Sequence, residues 1–516
     1  MADRGAARPS WDMDDTELHR AVEVLCSPRL AHLVELVAWS PAAEVYEARA
    51  LDGHVRFRRL RSERGPSFTT TTLSGRDVLA EQDPARFAPL AAEIAHQQPL
   101  RTSNSYPYAY EHIAQVFDHP CAPDLVVVHT AAHRQQGHRG EHGSISVVQA
   151  RAPFIASGAG VRRQGFVDRH CRLIDVAPTM LALLGVPTTR GIGPGGSERD
   201  GLFLARQDGE AQTDLLDPKG PPAKRLVGIL MDGANANVLY DAVAKGEAPA
   251  IASLIEAGTA FRHGAVASLP TVTLPNHTSI LTGCHPGHHG VLHNAWYDRS
   301  LRRQVVTESP STWQTAMEWL NPGVETVHLA LRRTRPDAVS VSINEPADAG
   351  ATYSTFDLFR SGEVHRLLPD LSAGPPAHTT AEHYTASRTY RQGTMADTMS
   401  LEQATAIWSG RHLEVDYEMP TFMWVNTSLT DAAFHEGGPH SEIARAAVRD
   451  TDERIGALMA AVQRAGARDE TAYVLVADHG MEQAAEDVTG DWNEALRAEG
   501  IDCRDESSGF LYLGAT

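Results

Sequence analysis

The sequence predicts an α/β fold in which a mostly parallel central sheet is covered by helices on both faces. Several short, almost uninterrupted apolar runs are typical of strands that are buried on both faces. Amphipathic helical patterns separate these runs, and this alternation is typical of a parallel sheet with helical crossovers. The predicted strands are residues 124–128, 152–157, 226–232, 422–426 and 472–478.

Helices are predicted before and between these strands. The first helical pattern places three apolar residues on one face, Leu18, Val22 and Leu25. Residues 175–185 begin with Asp, carry Pro in the first turn and end at Gly, which is the usual order of helix start and stop signals. Residues 441–466 form a long amphipathic pattern, and we expect Asp450 and Asp452 on its solvated face.

Length and composition predict one large domain with insertions, or two to three lobes. The chain has 516 residues and is 42% hydrophobic, which allows a sizeable core. Residues 188–225 are rich in Gly, Pro and charge, which favours a linker or an exposed connection. Its GIGPGG stretch follows no predicted strand, so we interpret it as a flexible turn rather than a dinucleotide loop. Residues from about 333 to 410 have weaker periodicity and are expected to form an inserted cap lobe.

Charge and hydropathy narrow the expected partners. The net charge is −19 and no block is rich in Lys or Arg, so neither nucleic acid nor an anionic membrane is expected as a partner. We expect no transmembrane helix and no secretory signal, because no long apolar run is present. The 5 cysteines are scattered without CxxC spacing, which favours reduced thiols in a cytoplasmic protein. The oligomeric state stays open.

Candidate metal ligands follow the predicted strands of the second half. Asp232 ends one strand, while Asp478 and His479 end another, and parallel strands bring their carboxyl ends to one edge of a sheet. Asp431 and His435 follow a third strand, and their spacing places both on one face of a helix. Carboxylate and imidazole ligands suit Zn²⁺, with Mn²⁺ or Fe as alternatives.

A hydroxyl group lies between these motifs in the stretch LPTVTLPNHTSILTG, residues 269–283. Pro275 is well placed in the first turn of a helix that begins near Thr273. Free backbone N–H groups at a helix start attract an anion, and a metal-bound hydroxyl loses its proton more easily. Thr273 is therefore the candidate nucleophile.

Taken in order, four motifs resemble the alkaline phosphatase superfamily, and most closely its nucleotide pyrophosphatase/phosphodiesterase branch. They are LMDG, PTVTLPNHTSILTGCHPGHHGVLHNAWYD, DAAFHEGGP and ADHGM. The resemblance implies an alkaline-phosphatase-like fold that holds two divalent metal ions. It implies one ion bound by Asp232, Asp478, His479 and the hydroxyl of Thr273, and a second bound by Asp431, His435 and a further histidine.

That further histidine is displaced along the chain. In the family it follows Asp-His-Gly-Met within a Gly-x-His-Gly stretch, but no histidine follows His479 here. The stretch HRQQGHRGEHGS supplies a match at His142, and the family-like segments APFIASGAGVRR and IDVAPTMLALLGVP come after it. We interpret the chain as circularly permuted: 1–187 is the usual C-terminal part, 226–516 is the usual N-terminal part, and 188–225 joins the ancestral ends. This interpretation requires the terminal GFLYLGAT to lie near the start of the chain.

The resemblance implies a hydrolase of phosphoric esters that acts through a phospho-threonine at Thr273. Asn294 and the Thr273 N–H are implied to stabilise the phosphoryl oxygens. The expected substrate is a small phosphate- or phosphonate-containing molecule, with a phosphodiester as the first interpretation. A phosphomonoesterase and a phosphonoacetate-hydrolase-like enzyme are alternatives on the same metals. A catalytically silent metal-binding module is the non-enzymatic alternative.

The resemblance does not extend to the aromatic clamp that grips the base in nucleotide-cleaving members. Leu274 and Asn426 stand at the two clamp positions. Trp424 and Trp296 are candidate replacements. The sequence therefore leaves nucleotide specificity open.

Overall fold

A computed structural model of the protein describes residues 15–63, 65–95, 105–131, 137–363, 388–412, 414–485, 488 and 490–514. Its largest sheet has eight strands, numbered here in chain order. Across the sheet they are β19 (Tyr353–Ser354), β18 (Ser340–Ile343), β22 (Phe422–Thr427), β13 (Arg225–Met231), β23 (Thr471–Val476), β8 (Phe154–Gly158), β14 (Gly258–Phe261) and β9 (Gly165–Val167). All except β8 run in one direction, so the predicted mostly parallel sheet is confirmed.

Helices and short sheets surround this central sheet. The helices are α1 (Asp15–Leu25), α2 (Leu90–Ile94), α3 (Ala109–Val116), α4 (Val147–Ala150), α5 (Val176–Leu183), α6 (Ala236–Ala244), α7 (Pro249–Ala257), α8 (Thr273–Thr282), α9 (Pro286–His289), α10 (Val327–Thr334), α11 (Thr355–Arg360), α12 (Arg388–Trp408), α13 (Leu429–Gly437), α14 (Glu442–Arg464) and α15 (Trp492–Ala498). Short paired strands are β6 (Gly140–Glu141) with β24 (Glu482–Gln483), β11 (Thr189–Ile192) with β12 (Glu198–Leu202), β16 (Ala295–Asp298) with β17 (Arg303–Val306), β20 (Arg411–His412) with β21 (Val415–Asp416), and β15 (Ala265–Val266) between β7 (Arg151–Ala152) and β10 (Cys171–Arg172). None of the described helices combines the length and the apolar character that crossing a bilayer needs.

The predicted helices are present as α1, α5 and α14. Ser441 begins α14, and its hydroxyl accepts the N–H of Ala444 at 3.2 Å. The expected solvated position of Asp452 is wrong, because this carboxylate is buried and accepts the N–H groups of Ala250 and Ile251 at 3.1 and 2.8 Å. It therefore satisfies the first turn of α7, where Pro249 has no N–H to offer.

A second, fully antiparallel sheet contains strands from both ends of the chain. Across this sheet they are β25 (Cys503–Glu506), β26 (Phe510–Leu513), β5 (Leu125–His129), β1 (Val34–Ala42), β2 (Val45–Ala50), β3 (Gly53–Ser62) and β4 (Gly65–Gly75). Phe510 of β26 pairs with Val126 of β5, which pairs in turn with β1. The end of the chain thus lies beside its first third.

Residues 124–128 do contain a strand, but its predicted place in the parallel sheet is wrong. The strand is β5 of the antiparallel sheet, where successive residues face different apolar clusters. Val126 and Val128 pack with α3, whereas Leu125 and Val127 pack with α1 and α15. Because both faces are covered, β5 lacks the polar alternation that distinguishes a half-exposed antiparallel strand.

Residues 188–225 and residues from about 333 to 410 pack into the rest of the fold more closely than their composition predicts. In 188–225, the GIGPGG stretch lies at the end of β11 and in the turn before β12, and Asp208 is fully buried. The cap lobe expected at about 333–410 is wrong for the residues described, because β18 and β19 belong to the central sheet and α12 packs on β22 and α13. The serines of β18 are buried, which explains the weak apolar periodicity. Residues 364–387 lie outside the described residues.

A buried network of charged side chains joins the second sheet to helix α9 and to the segment between β12 and β13. Arg59 of β3 donates to both carboxylate oxygens of Asp118 at 2.7 and 2.6 Å. His288 of α9 lies between two carboxylates, 2.8 Å from Asp118 and 2.7 Å from Asp208. Burial opposes both charges, yet these contacts raise the pKa of His288 and hold the pKa of Asp118 well below its usual range.

Asp118→Asn should destabilise the protein by roughly 3 kcal/mol at pH 5.5, because it leaves buried cations incompletely paired. A lowered carboxyl pKa stabilises above the unfolded value, and a raised imidazole pKa stabilises below its own unfolded value. The difference from wild type should therefore shrink as the pH rises through the raised pKa of His288. Urea denaturation at pH 5.5 and pH 9 measures it. Asp52→Asn, which removes the surface pair with Arg76, is the control and should cost under about 1 kcal/mol. Equal losses in the two variants would contradict the prediction.

Candidate metal centre

The candidate site lies at the carboxyl edge of the central sheet. Strand β13 pairs in parallel with both neighbours, so that Leu230 is opposite Asn426 of β22 and Val476 of β23. Asp232 directly follows β13, and Asp478 comes two residues after β23. The register therefore brings side chains distant in sequence to one edge of the sheet.

The first candidate ligand set comprises Asp232, Asp478 and His479, and the structure brings all three together. One ligand atom from each lies within 4.8 Å of the others. The Nε2 of His479 is 3.0 Å from Oδ2 of Asp478 and 3.9 Å from Oδ1 of Asp232. The second oxygen of Asp478 accepts the N–H of Gly233 at 2.9 Å, which fixes the carboxylate.

The second candidate set comprises His142, Asp431 and His435. Helix α13 carries both Asp431 and His435 on one face, and their side-chain atoms Oδ1 and Nε2 are 3.4 Å apart. His142 comes from the loop after β6, almost three hundred positions earlier, and its Nε2 lies 3.1 Å from Nε2 of His435. Strand β6 reaches this place by pairing with β24, which follows the ADHGM motif.

The three imidazoles share one orientation. The Nδ1 atoms of His142, His435 and His479 donate to the carbonyls of Thr271, Gly140 and Gly480 at 2.9, 2.8 and 2.9 Å. A carbonyl only accepts, so each ring carries a proton on Nδ1, which leaves Nε2 as the atom whose lone pair can bind a metal ion. Two such lone pairs face each other between His142 and His435, an arrangement that a cation stabilises.

Several buried ligand atoms have no hydrogen-bond partner in the part of the chain that the structure describes. They are Oδ1 of Asp232, Oδ2 of Asp478, Nε2 of His479 and Oδ1 of Asp431. Buried polar atoms are normally paired, and an unpaired carboxylate oxygen is costly. The donor set therefore fits divalent metal ions, which such oxygens and imidazole nitrogens bind.

Electrostatics also favour cations at this edge of the sheet. Burial and repulsion from Asp478 and Asp431 raise the pKa of Asp232 well above its usual range. Burial opposes the charge of Asp478 as well, but His479 and His277 hold its pKa well below the usual range. Three carboxylates at one buried edge thus repel one another, and positive charge is needed to keep all of them ionised.

Thr273 is the first residue of α8, and the loop before the helix is held by one side chain. Asn276 of α8 accepts the N–H of Ser268 at 2.9 Å and donates to the carbonyls of Pro270 and Val272 at 2.8 and 3.1 Å. Pro275 lies in the first turn, as expected. The half-buried Thr273 therefore stands at a rigid helix start where backbone N–H groups have no partner within the helix.

Thr273 and the second ligand set line one cavity of about 350 Å³. His142, Asp431 and His435 form part of its wall, and Asn294 lies beside Thr273. The opposite wall belongs to the second sheet, with residues from β5 and from the turn between β25 and β26. The antiparallel sheet thus closes the space in front of the hydroxyl.

Asn294 makes two polar contacts at this cavity. Its Oδ1 accepts the N–H of Leu274 at 3.2 Å, and its Nδ2 donates to Glu308 at 2.9 Å. The implied role of Asn294, donation to a phosphoryl oxygen, stays a prediction, and one amide proton is left for it. Nothing in the sequence pointed to Glu308, which follows the short strand β17.

The same region of the chain is similar to a known protein family. Residues 226–515 match the family described as type I phosphodiesterase / nucleotide pyrophosphatase. The chain belongs to this family. The matched region holds Asp232, Thr273, Asp431, His435 and Asp478, whereas His142 lies outside it.

Relatives of the family are similar to about half of the chain. Rat ectonucleotide pyrophosphatase/phosphodiesterase family member 1 is 25% identical over 255 residues, which are 49% of this chain and 24% of that protein. The alkaline phosphatase PafA of Elizabethkingia meningoseptica is 33% identical over 94 residues, which are 18% of this chain and 17% of that protein. Murine ectonucleotide pyrophosphatase/phosphodiesterase 5 aligns with a TM-score of 0.38 at 15% identity, covering 55% of this chain and 64% of that one. The chain thus spans about a quarter of the length of the rat relative.

The two positions of the family's aromatic clamp do not face the cavity. Leu274 is buried in the apolar cluster beneath the second sheet, and Asn426 is buried as well. The candidate replacements Trp424 and Trp296 are both fully buried, so neither can stack on a substrate. The expectation that one of them takes the place of the clamp is therefore wrong.

The motif PNH contains a further residue of the site whose role the sequence did not reveal. His277 is fully buried, with Nε2 3.6 Å from Asp232 and 3.5 Å from Asp478. Its Nδ1 lies 3.0 Å from Glu345, a buried carboxylate that also accepts from the indole N–H of Trp424 at 3.1 Å. His277 and Glu345 thus form a buried layer of contacts behind the first ligand set. No signal in the sequence linked Glu345 to this set.

Gly233→Ala should disturb the second ligand set without unfolding the protein. Gly233 has φ +66°, and an added Cβ would lie 2.6 Å from Oδ1 of Asp431. Gly246 has φ +74° with nothing within 4 Å of such an atom, so Gly246→Ala bears the same backbone strain of roughly 1 kcal/mol without the clash. We expect only Gly233→Ala to lose bound metal, measured by inductively coupled plasma mass spectrometry. Equal metal content in the two variants would contradict this placement of Asp431.

Proposed function

We propose that the protein is a two-metal phosphodiester hydrolase in which Thr273 is the nucleophile. The observation that carries the proposal is a shared cavity: Thr273, at the start of α8, lines it together with His142, Asp431 and His435. Oδ1 of Asp431 and three buried donor atoms of the neighbouring first set have no hydrogen-bond partner among the described residues. Membership of the type I phosphodiesterase / nucleotide pyrophosphatase family supports the same reaction.

The two ligand sets would hold two ions. Asp232, Asp478 and His479 would bind one, and the set of His142, Asp431 and His435 would bind the other. Both sets mix carboxylate oxygen with imidazole nitrogen, which suits Zn²⁺ best. When bound, such ions lower the pKa of a coordinated hydroxyl and stabilise negative charge on phosphoryl oxygens.

The side chains of the protein have distinct roles in the proposed reaction. The Oγ of Thr273 attacks phosphorus in line, so a Thr273 O–P bond forms while the bond to the leaving alcohol oxygen breaks. Water then attacks the phospho-threonine from the opposite side and releases the phosphorylated product with free Thr273. The N–H of Thr273 and the free amide proton of Asn294 donate to the equatorial oxygens, where charge builds up.

We also propose that the chain is a circular permutation of the family's catalytic domain. His142 lies outside the family match, yet its imidazole faces His435, and β8 follows it into the centre of the sheet. The hairpin β25–β26 pairs with β5, so strands from the last and the first third of the described chain belong to one sheet. Both contacts are those that a reordered domain needs.

A reducing compartment, the cytoplasm, is proposed as the place of action. All five cysteines are free thiols. Cys171 and Cys284 are fully enclosed, and burial raises the pKa of both thiols well above the usual range. Thiols of this kind are unreactive, which suits a protein that does not depend on disulfides. The proposed partner is a small phosphate-containing substrate.

Thr273→Ala should lower hydrolysis of bis-p-nitrophenyl phosphate by at least about 10³-fold, because the attacking oxygen is removed. Thr273→Ser should retain measurable turnover, since it keeps the hydroxyl. The matched control is Thr405→Ala, a half-buried position on α12 outside the cavity. Release of p-nitrophenolate in saturating Zn²⁺ measures the rates. Turnover that survives in Thr273→Ala would overturn the proposed mechanism.

His142→Ala should reduce the bound metal from two ions per chain to about one, because the second set keeps only two ligands. Metal content after dialysis, read by inductively coupled plasma mass spectrometry, is independent of any assay of activity. His263→Ala is the control, since His263 belongs to neither candidate set. Two ions retained in His142→Ala would remove the basis for the permutation as well as for this ligand.

A further inference from the structure

The cavity in front of Thr273 carries a carboxylate that neither ligand set uses. Glu308 lines the cavity with Thr273 and Asn294, and it is exposed. One of its oxygens accepts the amide N–H of Asn294 at 2.9 Å. No hydrogen bond to the other oxygen is present among the described residues, so that oxygen is available to the cavity.

The position of Glu308 is fixed by its backbone. The N–H groups of Thr307 and Glu308 both donate to the carbonyl of Asn294, at 2.9 and 3.3 Å. The hydroxyl of Thr307 adds a bond to the carbonyl of His293 at 3.1 Å. The backbone of Glu308 is therefore held against that of Asn294, and the side-chain amide of Asn294 in turn contacts the first turn of α8.

No fixed positive charge balances this carboxylate in the described part of the cavity wall. Its lining residues include neither Lys nor Arg among the residues that the structure describes. Burial and repulsion from His129 lower the pKa of His293 to about 3, so this wall residue is neutral. Burial also lowers the pKa of His129, which lines the same wall, while His142 and His435 point their Nε2 atoms toward the second ligand set.

We propose that Glu308 determines the charge class of the substrate, favouring monoanionic phosphodiesters over dianionic phosphomonoesters. The inference rests on the proposed hydrolase function and narrows it. A diester carries one negative charge, and the bound ions, the Thr273 N–H and the Asn294 amide would suffice to stabilise its two non-bridging oxygens. A monoester places a second charge on a third oxygen. A fixed carboxylate in the same cavity repels that charge, since two like charges a few ångströms apart still repel one another at the higher effective dielectric of a protein surface.

Glu308→Gln removes the negative charge but keeps the side chain in place, because the amide oxygen of Gln can still accept the N–H of Asn294. The test compares kcat/KM for bis-p-nitrophenyl phosphate, a monoanion, with kcat/KM for p-nitrophenyl phosphate, a dianion. Although Glu308 is exposed, partial desolvation of its carboxyl group in the cavity and repulsion from Asp431 raise its pKa to about 7, so assays at pH 8.5 keep the group ionised. Competitive inhibition by inorganic phosphate gives a second readout that needs no monoester turnover.

In Glu308→Gln we expect kcat/KM for the monoester to rise about tenfold relative to the diester, with phosphate binding tighter by a similar factor. Glu318→Gln, the same exchange at an exposed position outside the cavity, should leave both substrates unchanged. An unchanged ratio of the two substrates in Glu308→Gln would overturn the inference, as would an equal loss of both. Failure of the hydrolase function itself is distinguishable, because wild type would then turn over neither substrate in a Thr273-dependent way.

Discussion

The parallel pairing of β13 with both β22 and β23 is the constraint on which the site depends. These three strands are almost wholly buried and run in register, so their carboxyl ends share one level. Asp232, Asp478 and Asp431 follow these ends directly or after a short turn. Repulsion among the carboxylates opposes this arrangement, and the apolar burial of the strands holds it together. A site of this kind is therefore supported by the core rather than by its own contacts.

The three imidazoles of the site are also held by the surrounding fold, although they come from distant parts of the chain. Each is oriented by a backbone carbonyl, which comes from the loop before α8, from β6, or from the residue after His479. The loop that carries His142 is held through β6 and β24 and through Gly143, whose N–H donates to the hydroxyl of Thr271 at 3.0 Å. The ligand that is most distant in sequence thus depends on the most backbone contacts.

The site residues that the sequence could predict lie just after strands or near the start of helices. Asp232, Asp478 and His479 directly follow apolar runs, and Asp431 with His435 repeats the helical period. Glu308 and Glu345 carry no such signal, because each acts through a partner that only the fold brings near. The position of Asp452 was mispredicted for a related reason. A charged residue on an amphipathic helix is normally solvated, but here the first turn of α7 offers N–H groups that need an acceptor.

Burial on both faces hid strands β1 and β5 of the antiparallel sheet from sequence reasoning, and the role of the sheet in the site follows from the same packing. Residues of β1 alternate between two apolar clusters, with Leu36 and Ala38 in one and Val37 and Trp39 in the other. Neither face is polar, so neither face alone reveals the strand period. One of these clusters also contains Leu274, the residue directly after Thr273. The helix that presents the hydroxyl is therefore packed against the sheet that forms the opposite wall of the cavity. Because the two walls share one core, the width of the cavity is set by packing, and a substrate must fit a space that the protein does not readily widen.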